Sequence, residues 1–247
     1  MMIKPMVYHV GLTSPSTLEF DAFKISCHPL LQVDYSSFHL KEDLDEILKQ
    51  DPALVLMSKN SVFGLDAWLK RHFLDSDYFN NEFWTVGERT QAHLRDVFEI
   101  EANCPDLMTG KGLIAALNDG GKSTIILICG KNPQADFIQG LHACKINFFH
   151  FPVYEIKNRK DMQFSDHFQN SDANYIVITS PSVISGVLNN LELADLSQVK
   201  ANIISIGPTT TEAIKKEKGQ IFHESKIQNI TSLYDDLNYV IGKMHHY

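Results

Sequence analysis

Hydrophobic residues in this chain follow two rhythms that alternate from one end to the other. Short runs of β-branched and aliphatic residues mark strands at Val7–Leu12, Leu54–Met57, Phe83–Val86, Thr124–Cys129, Ile146–Phe151, Tyr175–Thr179 and Asn202–Ile206, with a further strand-like run at Cys27–Val33. Between them the apolar positions recur every three to four residues, the spacing of a helix with one buried face. These helices are predicted at Ser61–Arg71, Thr90–Phe98, Gly110–Asn118, Pro133–Cys144, Ser182–Leu191, Thr209–Lys218 and Thr231–Met244, each after a polar turn able to cap it. Strand, tight turn and helix in alternation predict an α/β fold of mostly parallel sheets covered by helices. Ligands of such sheets bind beyond the carboxyl ends of the strands, so the strand-to-helix turns are the places to look for chemistry.

The pattern occurs twice. Leu54–Val62 and Ile176–Ile184 both read as a buried strand ending in a serine turn, and Ser58 matches Ser180 at an offset of 122 residues. Thr85–Leu94 resembles Ser205–Ile214 at an offset of 120, pairing Gly87 with Gly207 and Thr90 with Thr210. Gly112-Leu113 and Leu117 line up with Ser232-Leu233 and Leu237, again at 120. Three matches in the same order predict two similar α/β domains that arose by duplication.

Composition removes several classes of function. With 247 residues, 44% hydrophobic and 21% charged, the chain suits a soluble globular protein of two domains. A net charge of −8 argues against nucleic acid as a partner, because phosphate backbones are held by clustered Lys and Arg. The longest apolar run, Ile125–Cys129, falls far short of the ~18 residues that span a bilayer, and the first residues lack a signal-peptide pattern. Cys27, Cys104, Cys129 and Cys144 show no C-x-x-C spacing, which suits reduced thiols and a cytoplasmic location.

Familiar catalytic motifs are also missing. Gly120-Gly-Lys-Ser-Thr124 looks like the end of a phosphate loop, but Ala116 stands where the first glycine belongs, and a helix precedes it where a strand is needed. The eleven histidines form no His-x-x-x-His pair on a helix, and His245-His246 reads as a frayed tail. Neither a Gly-x-Ser-x-Gly elbow nor a Gly-x-Gly-x-x-Gly dinucleotide turn is present, so no metal, nucleotide or other cofactor is expected. What remains are four turns rich in hydroxyls and backbone N–H groups. Ser58-Lys59-Asn60 and Gly87-Glu88-Arg89-Thr90 belong to one half; Ser180-Pro181-Ser182 and Gly207-Pro208-Thr209-Thr210 belong to the other. Helix N-termini favour anions, and glycine lets one approach closely, although Ser and Thr at such places also serve simply as caps. Repeated in both halves, the turns point to paired sites facing a cleft, for a ligand with several carboxylates or phosphates. On the residues alone three readings stay open: an enzyme acting on such a ligand, a cytosolic two-domain cleft protein that binds a small polyanion without catalysis, and a nucleotide-dependent enzyme using Gly120–Thr124.

At these turns the sequence resembles the uroporphyrinogen-III synthase family. Ile178-Thr179-Ser180-Pro181 is similar to its strand ending in Thr-Ser-Pro, Ile206-Gly207-Pro208-Thr209-Thr210 to its Ile-Gly-Pro-Thr-Thr turn, and Val86-Gly87-Glu88-Arg89-Thr90 to the corresponding turn of the other domain. Pro152-Val153-Tyr154 resembles the Val-Tyr of the family's inter-domain crossing. The resemblance implies two α/β domains with parallel sheets, one of them discontinuous: 1–35 with 155–247, and 36–154. The chain would cross between them near Leu31–Phe38 and Phe151–Lys157. The family's N-terminal Thr-Arg-Pro corresponds here to Thr13-Ser14-Pro15, so one carboxylate contact is missing or is supplied by Lys4 or Lys24.

The reaction implied by the resemblance needs no cofactor. Hydroxymethylbilane loses water to give a stabilised cation, the terminal pyrrole attacks at its substituted position, and a spiro intermediate rearranges to invert ring D. The protein's part is to hold a flexible polycarboxylate in one shape and assist the departing hydroxyl. Tyr154, at the mouth of the crossing, is the candidate for the donor role, or else an aromatic anchor packing that crossing, and Thr90 or Thr210 could substitute as donor. Substrate contacts fall to Ser58, Lys59, Asn60, Gly87, Ser180, Pro181, Ser182, Gly207, Pro208 and Thr209. The expected partner is this linear tetrapyrrole, with transient contact to the enzyme that makes it, no nucleic acid and no membrane, and the protein is expected to act as a monomer.

Overall fold

A computed structural model describes residues 4–12, 15, 19–36, 44–169 and 174–244. The Thr13-Ser14 match, Ser37-Phe38 of the first crossing, and His245-His246 lie outside the described residues. Backbone contacts divide the chain into two units, Met1–Gln32 with Lys157–Tyr247, and Val33–Ile156.

The discontinuous unit is built on five strands, β1 (Met6–Val10), β2 (Lys24–His28), β8 (Asn174–Ile178), β9 (Asn202–Ser205) and β10 (Ile221–Glu224). Their spatial order is β2-β1-β8-β9-β10, with every pairing parallel. Counted along this unit, the order is 2-1-3-4-5, the doubly wound arrangement in which helices cover both faces. Side chains alternate between the faces as the strand period requires. Tyr8, Val10, Ile176 and Ile178 pack towards α6 (Met162–Gln169), α7 (Pro181–Leu191) and α8 (Pro208–Lys216). Val7, Tyr175, Val177 and Ile204 pack against Leu233, Tyr234, Leu237 and Ile241 of α9 (Ile230–Met244).

The continuous unit repeats this plan with one change of edge. Its strands are β3 (Leu31–Asp34), β4 (Ala53–Leu56), β5 (Phe83–Thr85), β6 (Thr124–Gly130) and β7 (Asn147–Asn158), in the spatial order β3-β7-β6-β4-β5. Leu54, Leu56, Ile126 and Ile128 face α2 (Lys59–Arg71) and α3 (Glu88–Phe98), with α1 (Leu44–Leu48) at the same core. Val55, Ile125, Leu127 and Cys129 face α4 (Gly110–Asp119) and α5 (Ala135–Ala143). The 120-residue repeat reaches into the loops: one-turn 3₁₀ segments at Ser76–Tyr78 and Leu196–Gln198 are each capped by an aspartate, Asp75 and Asp195, that accepts from the amide two residues on. Where the discontinuous unit has β10, the continuous one keeps a single parallel bridge, Trp84 to Asn103.

Several expectations need correcting. Cys27–Val33 is two strands in two sheets, β2 and β3, broken at Pro29, which cannot donate to a ladder. The strand expected to stop at Phe151 runs on to Asn158. The short α1 and α6 and the edge strand β10 were not anticipated from the pattern. All four residues of β10 are only half-buried, so its sequence carries no buried alternation. Lys4 and Lys24 lie at the amino ends of β1 and β2, where Lys4 donates to the Phe20 carbonyl and Lys24 lies 3.7 Å from Glu19, so neither stands in for the family's arginine at the carboxyl ends. No helix among the described residues is long and apolar enough to cross a membrane.

Candidate functional site

The serine and glycine turns sit where the strand-helix pattern places them, at carboxyl ends. Ser58 follows β4 in extended conformation and caps α2 by accepting from the Ser61 amide. The first turn of α2 has no acidic residue and its last has Lys70 and Arg71, so the amides of Lys59 and Asn60 and the positive end of the helix dipole are left for an anion. Ser180 holds the same place before α7, but its hydroxyl lies 2.9 Å from Ser182 Oγ and makes no cap bond, and the exposed Pro181 opens the helix. Gly87 and Gly207 cap α3 and α8 with extended backbones and no side-chain bond. Thr90 and Thr210 are the third residues of those helices, with amides bonded back to the glycine carbonyls, and the two residues are only 6% and 4% exposed. Lys59, Pro208 and Thr209 are exposed.

The structure gathers one group of these residues around Tyr154. The β6–β7 register shifts at Gly130, which pairs with Tyr154. A Cβ on Gly130 would come to 3.0 Å from the Tyr154 ring, so any larger residue would have to push the ring aside, and glycine leaves it undisturbed. The Tyr154 hydroxyl lies 3.3 Å from Ser58 Oγ, which is in turn 3.3 Å from Ser61 Oγ. Burial pushes the phenol's pKa above the usual tyrosine value, against the lowering effect of the Ser58 hydrogen bond. It is therefore a protonated donor at neutral pH.

Tyr35, just past β3, is a member of this group that the sequence reading missed. Its hydroxyl donates to Asn60 Oδ1 at 3.2 Å, and its ring meets Tyr154 edge-on with centroids 6.4 Å apart. Arg71 holds its carbonyl at 2.7 Å. Its pKa is also raised, by burial and then by Tyr154. An aromatic residue in a short extended segment next to polar residues was the available signal. Gly87–Thr90 occupy the adjoining turn after β5, and Ser180–Ser182 and Gly207–Thr210 form the equivalent pair after β8 and β9.

A pocket of 170 Å³ adjoins Tyr154 and Ser58. Two larger hollows, of 330 and 580 Å³, lie at the amino ends of the strands, the first lined by Thr124 and Asn147 and the second by Asp51 and Asn81. The smaller pocket is the relevant one, because strand carboxyl ends are where doubly wound sheets bind ligands. Cys129 also lines it, its thiol pushed up to about 12 by burial and so kept out of nucleophilic chemistry. Gly120–Thr124 is a helix-to-strand turn at the amino end of β6, with Lys122 paired to Glu82. Among the described residues, no three His, Cys, Asp or Glu side chains are grouped to hold a metal ion.

Two doubly wound units of shared design, with hydroxyl- and glycine-bearing turns at their strand ends, define an internally duplicated α/β protein. The family model described as uroporphyrinogen-III synthase HemD matches residues 16–235. The chain belongs to the uroporphyrinogen-III synthase family, the cyclising lyases of tetrapyrrole synthesis, and its function is the closure of hydroxymethylbilane with loss of water and inversion of ring D. Among solved structures, uroporphyrinogen-III synthetase from Helicobacter pylori 26695 is similar over 96% of this chain and 100% of its own, at 18% identity and a TM-score of 0.64. A mutant uroporphyrinogen III synthase from the extremely thermophilic bacterium Thermus thermophilus is similar over 97% and 100%, at 12% identity and a TM-score of 0.57. At these identities the likeness concerns the fold. No curated protein sequence matches.

Proposed function

We propose that Tyr154 donates a hydrogen bond or proton to the departing hydroxyl of hydroxymethylbilane, and that the four strand-end turns hold the substrate's carboxylates. The observation that carries this reading is the Tyr154 hydroxyl, held 3.3 Å from Ser58 Oγ beside a helix N-terminus without acidic residues. A phenol kept protonated by burial serves as a hydrogen-bond donor to a leaving oxygen, and the amides of Lys59 and Asn60 supply the positive end for a carboxylate. Ser58 positions the phenol, and the Tyr35 ring, itself held by a bond to Asn60, packs edge-on against it. Gly87, Ser180, Pro181, Ser182, Gly207, Pro208 and Thr209 shape the other carboxylate-accepting turns. Thr90 and Thr210 serve those turns from the third residue of each helix, where their amides close the first turn.

The pyrroles provide nucleophile and electron sink, so the protein's chief task is to choose the folded shape that closes to the inverted isomer. The protein works in the cytoplasm as a monomer and takes its substrate during transient contact with the enzyme that makes it. Incubation with hydroxymethylbilane followed by separation of isomers I and III tests the assignment. Isomer III in excess over the uncatalysed mixture is expected, and isomer I alone would overturn it.

A further inference from the structure

The 170 Å³ pocket beside Tyr154 has a chemistry of its own. It opens where β4 and β6 lie side by side at their carboxyl ends. From there β4 leads through α2 to β5 on one side, and β6 leads through α5 to β7 on the other. This divergence is the topological switch point at which doubly wound sheets form a crevice. Met57, Leu127 and Phe137 give the pocket apolar walls, Tyr154 and Ser58 give hydroxyls, and Asn132 and Gln134 give amides at its edge. Pockets that enclose a drug-sized ligand run to about 300–1,000 Å³, so this one is too small for four linked rings and suits one.

We propose that this pocket holds a single pyrrole ring of the substrate, oriented by Asn132 and Gln134. The inference rests on the Tyr154 assignment above and adds a ring-specific subsite to it. The faces of a pyrrole are apolar, its N–H is a donor, and its acid arms are anionic, which matches the three kinds of wall. Direction follows from charge. The first turn of α2 holds no acidic residue, whereas that of α5 carries Asp136. The acid arms therefore point to Ser58 and the α2 amides, and the ring N–H points to the side-chain carbonyls of Asn132 and Gln134. Gln134 stands at the cap of α5 without using its side chain as a cap, and both amide residues are exposed, so their side chains can turn to a ligand.

The probe is a free monopyrrole bearing one acetate and one propionate arm, measured by direct calorimetric titration and as an inhibitor of hydroxymethylbilane turnover. Gln134→Trp and Asn132→Trp lay an indole over the pocket mouth from exposed positions, and circular dichroism checks that each variant is folded. The wild-type protein is expected to bind the monopyrrole competitively with substrate. Each tryptophan variant should lose about tenfold or more in monopyrrole affinity and gain a similar factor in KM, while Gln134→Ala loses only about 2–5-fold. Absence of monopyrrole binding to the wild-type protein, or equal binding to it and to both folded tryptophan variants, would overturn the proposal. Failure of the Tyr154 assignment reads differently: Tyr154→Phe would turn over hydroxymethylbilane at the wild-type rate while the titration still reports on the pocket.

Discussion

A buried phenol is a weak acid but a dependable hydrogen-bond donor, and this decides what Tyr154 is asked to do. Replacing it by Phe keeps the ring over Gly130 and removes only the hydroxyl 3.3 Å from Ser58. If the hydroxyl alone assists departure, kcat should fall by about 10²-fold, the lower end of general-acid contributions, with an unchanged thermal transition. Tyr35→Phe, which keeps the edge-on ring contact with Tyr154 and loses only the bond to Asn60, should cost only about 2–5-fold in kcat by stopped assay. The pH profile has a definite sign. A phenol is a donor below its pKa, and that of Tyr154 is raised, so this group should not limit kcat on the alkaline side until above the ordinary tyrosine value of about 10. A Tyr154-dependent fall between pH 7 and 9 would contradict the assignment. Tyr154 stands out in the sequence because it lies in a motif. Its partners Tyr35 and Ser58 lie 119 and 96 residues away, and no local spacing announces an edge-on aromatic pair or a hydroxyl contact over such distances.

At the scale of elements, caps and carboxylate sites make opposite demands at Gly87. Aspartate is among the best N-cap residues and glycine ranks only slightly lower, so Gly87→Asp should leave the melting temperature unchanged or a little raised. The added Cβ finds only ordinary contact with Met108 at 3.5 Å. Its charge, however, faces the space proposed for a substrate carboxylate, so KM should rise about tenfold or more. Equal KM in the folded variant would remove that turn from the site. Gly207→Asp is a less clean test, because a Cβ there meets the Gln228 side chain at 2.8 Å and that flexible chain must move first. A second element-level test concerns α6, which the apolar pattern did not reveal because it is short: Phe164 and Phe168 enter the core, and a polar network fixes its start. Asp161 accepts from the Phe164 amide, and Asp161 Oδ2 lies 3.0 Å from His28 Nδ1, while His28 Nε2 lies 2.8 Å from Ser26 Oγ. Burial raises the Asp161 pKa, but the His28 and amide bonds outweigh it and leave it below the usual value. Its stabilising effect is therefore present above the unfolded carboxyl pKa and fades as pH falls through the lower folded value. Asp161→Ala removes both the cap and the partner of a buried histidine, and urea melts at pH 7 should show a loss of about 1–3 kcal/mol.

Across the whole molecule, the duplication shows most clearly where glycine meets a passing strand or turn. Gly64 of α2 and Gly186 of α7 are related by the 122-residue offset. A Cβ on Gly64 would lie 2.5 Å from the Val153 carbonyl oxygen, and one on Gly186 would lie 3.0 Å from that of Leu30. Both neighbours are backbone, which cannot swing aside. Gly64→Ala should therefore destabilise by about 1–3 kcal/mol in denaturant titrations, with Gly186→Ala milder because its contact is longer. An unchanged Gly64→Ala protein would mean that β7 can shift at no cost. The repeat was legible because strand-turn-helix units carry dense local signals. The separation of β2 from β3 was not, because which sheet a strand joins depends on partners far along the chain. The same holds for β10, whose four half-buried residues have no buried face for a period-2 pattern to reveal.

The placement of β1 between β2 and β8 has a consequence for synthesis on the ribosome. β1 and β2 emerge well before β8, the strand that completes β1's second edge, which begins at Asn174, nearly 150 residues after β2 ends at His28. At about 5–20 residues per second the pair waits roughly 7–30 s with an unpaired apolar edge, while the intervening Val33–Ile156 segment is made in full. That segment is contiguous and contains the strands of its own sheet apart from the first two residues of β3 and the last two of β7, so it has what it needs to fold during the wait. The N-terminal strands are then the part of the nascent chain most in need of a chaperone.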